Sequence, residues 1–241
     1  MQRREFLKVV GGVTLIAVAP SLVSGKLYAD DGSLFHAYEK VQLLDGEGNP
    51  LLASTLKKEE NYVFNYPHVG TSCILVALPE KTDKNITLKS EDGEEYLWKS
   101  GVGKEGNIVA YSAICPHQLT HINKTDTFIS YISSDKTTMA CKKSSVIVCG
   151  SHMSAYDPHK GCDVIGGPAP QPLASIVLEH HDDDTLWAVA VLGPDKFHDY
   201  FKSFKTEMKE QYGGKRKAKK LVKAEAEVLP LSEFTKDIIQ Y

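Results

Sequence analysis

Two short clusters, Cys115-Pro116-His117 and Cys149-Gly150-Ser151-His152, constrain this chain more than any other feature. Each directly follows an apolar β-like run, Ile108–Ile114 and Val146–Val148, so each pair is delivered by a strand end onto a loop. Two thiols and two imidazoles at Cys-x-His and Cys-x-x-His spacing form a ligand set for a soft metal. Taken alone, the set also describes a closed tetrahedral zinc site. Zinc fingers, however, place their ligand pairs on short knuckles or helices of small domains. This chain has 241 residues, 42% of them hydrophobic, enough for a good-sized buried core. Five cysteines, an odd number without a short framework, do not suit a small disulfide-stapled scaffold.

The N-terminus carries a different kind of signal. Arg3-Arg4-Glu5-Phe6-Leu7-Lys8 resembles a twin-arginine export signal, and Val9–Val23 behind it is an apolar run. A spanning helix needs about 20 apolar residues, so this run suits a signal-peptide core better. Residues 1–29 are therefore expected to be an export signal or a retained N-terminal anchor, with the chain on the periplasmic side of a bacterial inner membrane. Export of an already folded protein suits one that must acquire its metal in the cytoplasm. The net charge of −3 gives no reason to expect nucleic acid as a partner.

Residues 30–60 are polar, with turn signals at Asp30–Ser33 and Gly46–Pro50, and read as a linker entering the first strands. Short β-rich runs follow over 61–193: Tyr62–Tyr66, Cys73–Leu78, a hairpin of Ile86–Lys89 with Tyr96–Trp98, and a second hairpin of Ile176–Glu179 with Leu186–Val191. The fold class is all-β and predominantly antiparallel. Beyond Pro194 the period changes: Phe197, Tyr200, Phe201, Phe204 and Met208 form one stripe of an amphipathic helix, expected to pack on the β core. Residues 194–241 are thus a charged helical extension. Its basic run, Lys215–Lys223, reads as a solvated helix face or mobile tail able to attract an acidic redox partner or anionic lipid.

A glycine- and proline-rich loop, Gly166-Gly167-Pro168-Ala169-Pro170, completes the pattern. Cys-x-His, a spacer, Cys-x-x-His and a Gly-Pro-Ala-Pro loop together resemble the Rieske iron–sulfur family over residues 108–191. The resemblance implies an antiparallel Rieske-type β-sandwich with a small cluster-binding subdomain at about 113–172, holding one [2Fe–2S] cluster. Cys115 and Cys149 would hold one iron, His117 and His152 the other. Exchanging two thiolates for two neutral imidazoles raises such a cluster to about −150 to +300 mV from about −400 mV. Ser154 and Tyr156 match the positions whose hydroxyls donate to cluster sulfurs in high-potential members. The family's usual disulfide between the two cluster loops is missing, because its positions here are Thr120 and Ser151. Cys141 and Cys162 are candidates for a substitute bridge, Cys73 reads as a small buried hydrophobe, and His121 as a surface or hydrogen-bonding residue.

Two functions fit the resemblance. One is the Rieske subunit of a cytochrome bc complex, with His152 contacting quinol and cytochrome b and a c-type cytochrome as partners. The other is the small Rieske subunit of a periplasmic molybdenum oxidoreductase resembling arsenite oxidase, whose partner is a molybdopterin catalytic subunit. A ring-hydroxylating oxygenase would need a further domain with a non-haem iron site, and residues 194–241 are too few to supply one.

Overall fold

The computed structural model describes residues 34–240; the expected export signal lies outside them. In chain order the strands are β1 (Phe35–Leu44), β2 (Tyr62–Asn65), β3 (Ser72–Ala77), β4 (Ile86–Lys89), β5 (Glu95–Trp98) and β6 (Ile108–Ser112). Then come β7 (Asp126–Thr127), β8 (Ile129–Ile132), β9 (Val146–Cys149), β10 (Ser154–Asp157), β11 (Asp163–Gly166), β12 (Ser175–His180) and β13 (Leu186–Leu192). The C-terminal extension contributes α1 (Phe197–Ser203), α2 (Lys205–Tyr212), α3 (Lys215–Ala218), β14 (Glu225–Glu227), β15 (Leu229–Pro230), α4 (Leu231–Phe234) and β16 (Asp237–Ile238). The all-β antiparallel architecture expected from the sequence is the one observed. The polar stretch read as a linker contains the ten-residue β1.

The main sheet runs β14-β1-β13-β12-β6-β3-β2-β15, and a four-stranded sheet, β11-β10-β9-β8, stands apart from it. Strand β3 shows how the two are joined. All six of its residues are buried, because both faces are covered. Cys73, Leu75 and Ala77 point into one apolar cluster, with Val41, Phe64, Ala110 and the helical extension. Ile74 and Val76 point the other way, toward Tyr131, Ile147 and Tyr156 of the small sheet and Trp98 of the β4–β5 hairpin.

The small sheet is an insertion between two neighbours of the main sheet. The chain leaves at β6 and returns at β12, where Tyr111 and Ser175 pair and Ser112 N–H donates to Ala174 O at 2.8 Å. The two cluster loops therefore project from a base closed by hydrogen bonds.

The extension does more than cover a face. Its aromatic stripe packs on the β core as expected, with Phe197, Tyr200, Phe201 and Met208 buried. It is two helices, however, not one. Phe204 leaves helical geometry at φ −102°, ψ 44°, so α2 turns away from α1. Gly213, in the left-handed region at φ 70°, ends α2 and donates back to Lys209 O. The basic run is partly the short helix α3, whose backbone is fixed: Gly70 N–H donates to Ala218 O at 2.9 Å. A Cβ on Gly70 would lie 2.8 Å from that of Ala218, so glycine is what lets the two segments meet.

Farther on, β14 pairs with β1 in parallel and β15 with β2 in antiparallel fashion. One segment, 225–230, thus pairs with both β1 and β2, covering Gln42–Leu44 of the one and Tyr62–Val63 of the other. Beyond it, β16 pairs with β7 beside the small sheet. Among the described residues both parallel strand pairs come from this tail, the isolated bridge Lys58–Ala77 being the other parallel contact.

Candidate metal centre

The first cluster loop begins where β6 ends. Cys115 N–H donates to Thr120 O at 2.7 Å, and Leu119 N–H to Cys115 O at 2.9 Å, folding Cys115–Thr120 into a closed turn. Leu119 accepts a left-handed φ of 61° to complete it. The second loop begins where β9 ends and is held as a hairpin, Cys149 pairing with Ser154. Gly150 N–H bonds to Phe128 O at 2.7 Å. The proline loop presses on this hairpin. A Cβ on Gly167, at φ 81°, would sit 2.2 Å from Met153 O and 2.5 Å from Ser154 Cα, so only glycine fits. Ala169 behind it is buried in the core.

These loops bring the four sequence-predicted ligands together in two pairs. Cys115 and Cys149 are both buried. The two thiols are pushed apart by each other: Cys149 pulls the Cys115 thiol down, while Cys115 and then burial hold that of Cys149 up. His117 and His152 face each other edge to face, ring centroids 4.9 Å apart, with His152 exposed and His117 half-buried. Among the described residues no three His, Cys, Asp or Glu side chains converge on one ion-sized point. The site is divided into a thiol pair and an imidazole pair, the division a two-iron cluster asks for.

The surroundings favour sulfur anions. The Tyr156 hydroxyl lies 3.2 Å from Cys115 Sγ, and the His117 and Gln118 backbone also lowers that thiol. The Ser151 backbone and the Thr120 side chain act on the Cys149 thiol in the same downward direction, against the larger upward effects of Cys115 and burial. Donors aimed at sulfur stabilise the thiolate over the thiol. Tyr156 is itself fully buried, and desolvation, followed by the neighbouring Cys115, pushes its phenol far above its usual range. It stays a donor. Among the described residues nine buried side-chain atoms have no protein partner, and two of them, His117 Nδ1 and Ser154 Oγ, belong to the segments that carry the ligands. There a bound cluster would supply iron to the one and sulfide to the other, partners that buried polar groups nearly always have.

Sequence reasoning missed Thr120, which it marked only as an absent disulfide partner. Its side chain lowers the Cys149 thiol slightly, an influence that arises only because the fold brings the two loops together. Of the two roles expected of His121, surface or hydrogen-bonding, the structure shows the second: the ring is 6% exposed, 4.6 Å from those of both Tyr200 and Phe204. Its Nδ1 lies 2.8 Å from Leu119 O, and its Nε2 lies 2.9 and 3.0 Å from the two Glu207 oxygens. The substitute disulfide is not present. Cys141 and Cys162 are free thiols. Cys162 lies wholly inside the core between the sheets, whereas Cys141 packs on the outer face of the small sheet with Ile132 and Ile165. Cys73 is a buried thiol, as expected, and donates to Tyr66 O at 3.0 Å.

Comparison with known proteins agrees with this geometry. The family model of the Rieske [2Fe-2S] domain matches residues 75–177. The iodate reductase subunit IdrB of Denitromonas iodatirespirans is 28% identical over 193 residues, covering 80% of this chain and 82% of that protein. A putative respiratory nitrate reductase subunit Rieske of Haloferax mediterranei is 23% identical over 184 residues, covering 74% and 72%. The soluble domain of Rieske protein II from Sulfolobus acidocaldarius matches with a TM-score of 0.41 at 22% identity, over 61% of this chain and 86% of that one. The chain carries a Rieske [2Fe–2S] domain, and with it the capacity to hold one [2Fe–2S] cluster.

Proposed function

We propose that this chain is the electron-transfer subunit of an oxidoreductase outside the cytoplasm, relaying electrons to or from a catalytic subunit, with a molybdopterin enzyme as the partner class. In this reading Cys115 and Cys149 hold one iron and His117 and His152 the other. The cluster supplies one-electron chemistry at moderately high potential. The protein's part is to hold the sulfurs dry under Tyr156, to orient His117, and to leave His152 at the surface, where a partner or a proton can approach it.

The observation that carries this reading is the extent of the likeness. The two relatives named as reductase subunits align over 193 and 184 residues, well beyond the 103 residues of the Rieske domain, so the similarity takes in regions outside the cluster fold. Purification of the native complex tests it. Co-purification with a molybdopterin subunit is the expected result; a complex containing cytochrome b and a c-type cytochrome would sink it.

That second outcome is the alternative reading, a quinol-oxidising subunit passing electrons to a c-type cytochrome. One observation favours it: the Tyr156 hydroxyl at 3.2 Å from Cys115 Sγ raises the potential, as quinol oxidation requires. In that case the exposed His152 would contact quinol. Low-temperature EPR with iron and sulfide analysis tests what both readings share, and a colourless, zinc-containing protein would end both. The export expectation rests on the Arg3-Arg4 signal; fractionating cells that express the chain with Arg3 and Arg4 changed to Lys tests it, and unchanged export would remove it.

A further inference from the structure

The helical extension concentrates positive charge in a chain that is otherwise acidic. From Lys202 to Lys223 nine Lys and Arg residues stand against two carboxylates, +7, in a chain whose total of −3 leaves −10 for all other residues. Eight of the nine are exposed, Lys215 being half-buried. Among the described residues, none of the nine makes an ion pair, whereas Lys40, Lys58, Lys89 and Lys196 elsewhere each hold a carboxylate. Clustered unpaired cations repel one another, and an approaching anionic surface relieves that repulsion.

The position of this charge ties it to the cluster. On α2, Lys205 and Lys209 share one face at i, i+4, while Glu207 lies on the opposite side and grips His121, in the loop that carries Cys115 and His117. The cationic face is thus one helix thickness from the cluster loop. It is also unsuited to lying on a membrane. An interfacial helix must offer an apolar face to the acyl boundary, and here Met208 and Tyr212 are turned into the protein core.

We propose that the outer face of α1–α3 docks an acidic protein that exchanges electrons with the cluster, one whose own redox centre is surrounded by carboxylates. This rests on the electron-transfer role proposed above. Such a surface steers encounter and orientation more than it adds affinity, and its effect falls as salt screens it.

The test is stopped-flow oxidation of the reduced full chain by two probes, an acidic plastocyanin-type copper protein and a basic c-type cytochrome, across a salt series. If net charge governed encounter, the acidic probe would react slowly and accelerate with salt. The proposal expects the opposite: a fast reaction at low salt, slowed about tenfold as salt is raised. Replacing Lys205, Lys209 and Lys220 together with Glu should remove that salt dependence while leaving the high-salt rate unchanged. The triple Gln variant should remove part of it. Lys136→Glu, Lys142→Glu and Lys143→Glu, on the loop between β8 and β9, should leave it intact. A salt profile unaltered by the Lys205, Lys209 and Lys220 changes would overturn the proposal. So would a flat profile accompanied by binding to phosphatidylglycerol vesicles that those changes abolish. A chain with an intact cluster EPR signal that reacts with neither probe at any salt concentration would instead overturn the electron-transfer reading beneath it.

Discussion

Tyr156 has no exposed surface, and its hydroxyl ends 3.2 Å from Cys115 Sγ. A donor to a cluster sulfur stabilises the reduced state more than the oxidised one, because reduction adds negative charge there. Tyr156→Phe should therefore lower the reduction potential. A hydrogen bond to a charged group contributes about 1.5 kcal/mol, on the order of 60 mV for one electron; redox titration followed by EPR measures it, and an unchanged potential would remove Tyr156 from this role. His68 offers a second residue-scale prediction, on stability. Its ring packs among Tyr38, Phe197 and Phe201, and burial, reinforced by Lys219, lowers its pKa to about 4. The unfolded ring titrates near 6.5. Below that pH the unfolded chain takes up a proton that the folded one refuses, so stability falls as pH drops from about 6.5 toward 4. The loss is on the order of 2 kcal/mol once water at the ring's open edge is allowed for. Urea unfolding at pH 7 and pH 4.5 should show a smaller difference for His68→Phe than for the parent chain, and equal differences would exclude His68 as the source. At this scale the site was largely legible in the sequence, because its ligands, Ser154 and Tyr156 fall within short motifs at fixed offsets. Thr120 was not, since its influence on Cys149 depends on two loops that only the fold brings together.

Helix α2 contributes to the cluster loop through one carboxylate. Glu207 reaches the buried His121 with both oxygens, while His121 also meets Leu119 O two residues before it. The loop so held is one that the family usually secures with a disulfide, for which Thr120 and Ser151 leave no thiols. Glu207→Ala would strand a buried imidazole, a cost of about 1–3 kcal/mol. It is expected to lower the thermal midpoint and to speed cluster loss to a chelator, with Glu207→Gln, which keeps a hydrogen-bonding group, in between. A variant matching the parent in both measurements would show that the helix only covers the core. This element was half legible. The stripe Phe197, Tyr200, Phe201, Phe204 and Met208 predicts helix and predicts which face is buried, but it does not foresee the break at Phe204. The strands flanking the ligands were legible from apolar runs bounded by turns. By contrast, β10 and β11 carry serine, aspartate and glycine among few apolar residues, so their composition resembles loop, while β8, Ile-Ser-Tyr-Ile, is β-like but stands isolated in the spacer between the ligand pairs. Strands β14 and β15 were not legible at all, since what makes 225–230 a strand pair is the two open edges waiting some 160–180 residues earlier.

At the scale of the molecule, the question is whether the cluster organises the fold or the fold organises the cluster. Small zinc domains unfold without metal because no other contact holds their ligand loops. Here both loops are held by the protein itself. The first is closed by Cys115–Thr120 and Leu119–Cys115 backbone bonds and gripped by α2. The second is a hairpin of β9 and β10 under the proline loop, where Gly167 packs on Met153 and Ser154. The small sheet carrying them shares its core with the main sheet through Ile74, Tyr111, Tyr131 and Tyr156. Asn61 at the start of β2 clasps Tyr131 of β8 with bonds of 2.6 and 2.9 Å. Removing the cluster should therefore leave a folded protein. Its β-type circular dichroism and a single cooperative unfolding transition should persist, with the midpoint lowered only by the binding free energy the cluster had added. The vacated site would leave the Cys115 thiol lowered by Cys149 and by Tyr156. Cys115 should then alkylate faster than any other buried cysteine of the apoprotein, measured by peptide mapping after brief labelling near neutral pH. Loss of the cooperative transition on cluster removal would mean that the cluster, not the clasp of loops, sheets and tail, holds the subdomain together.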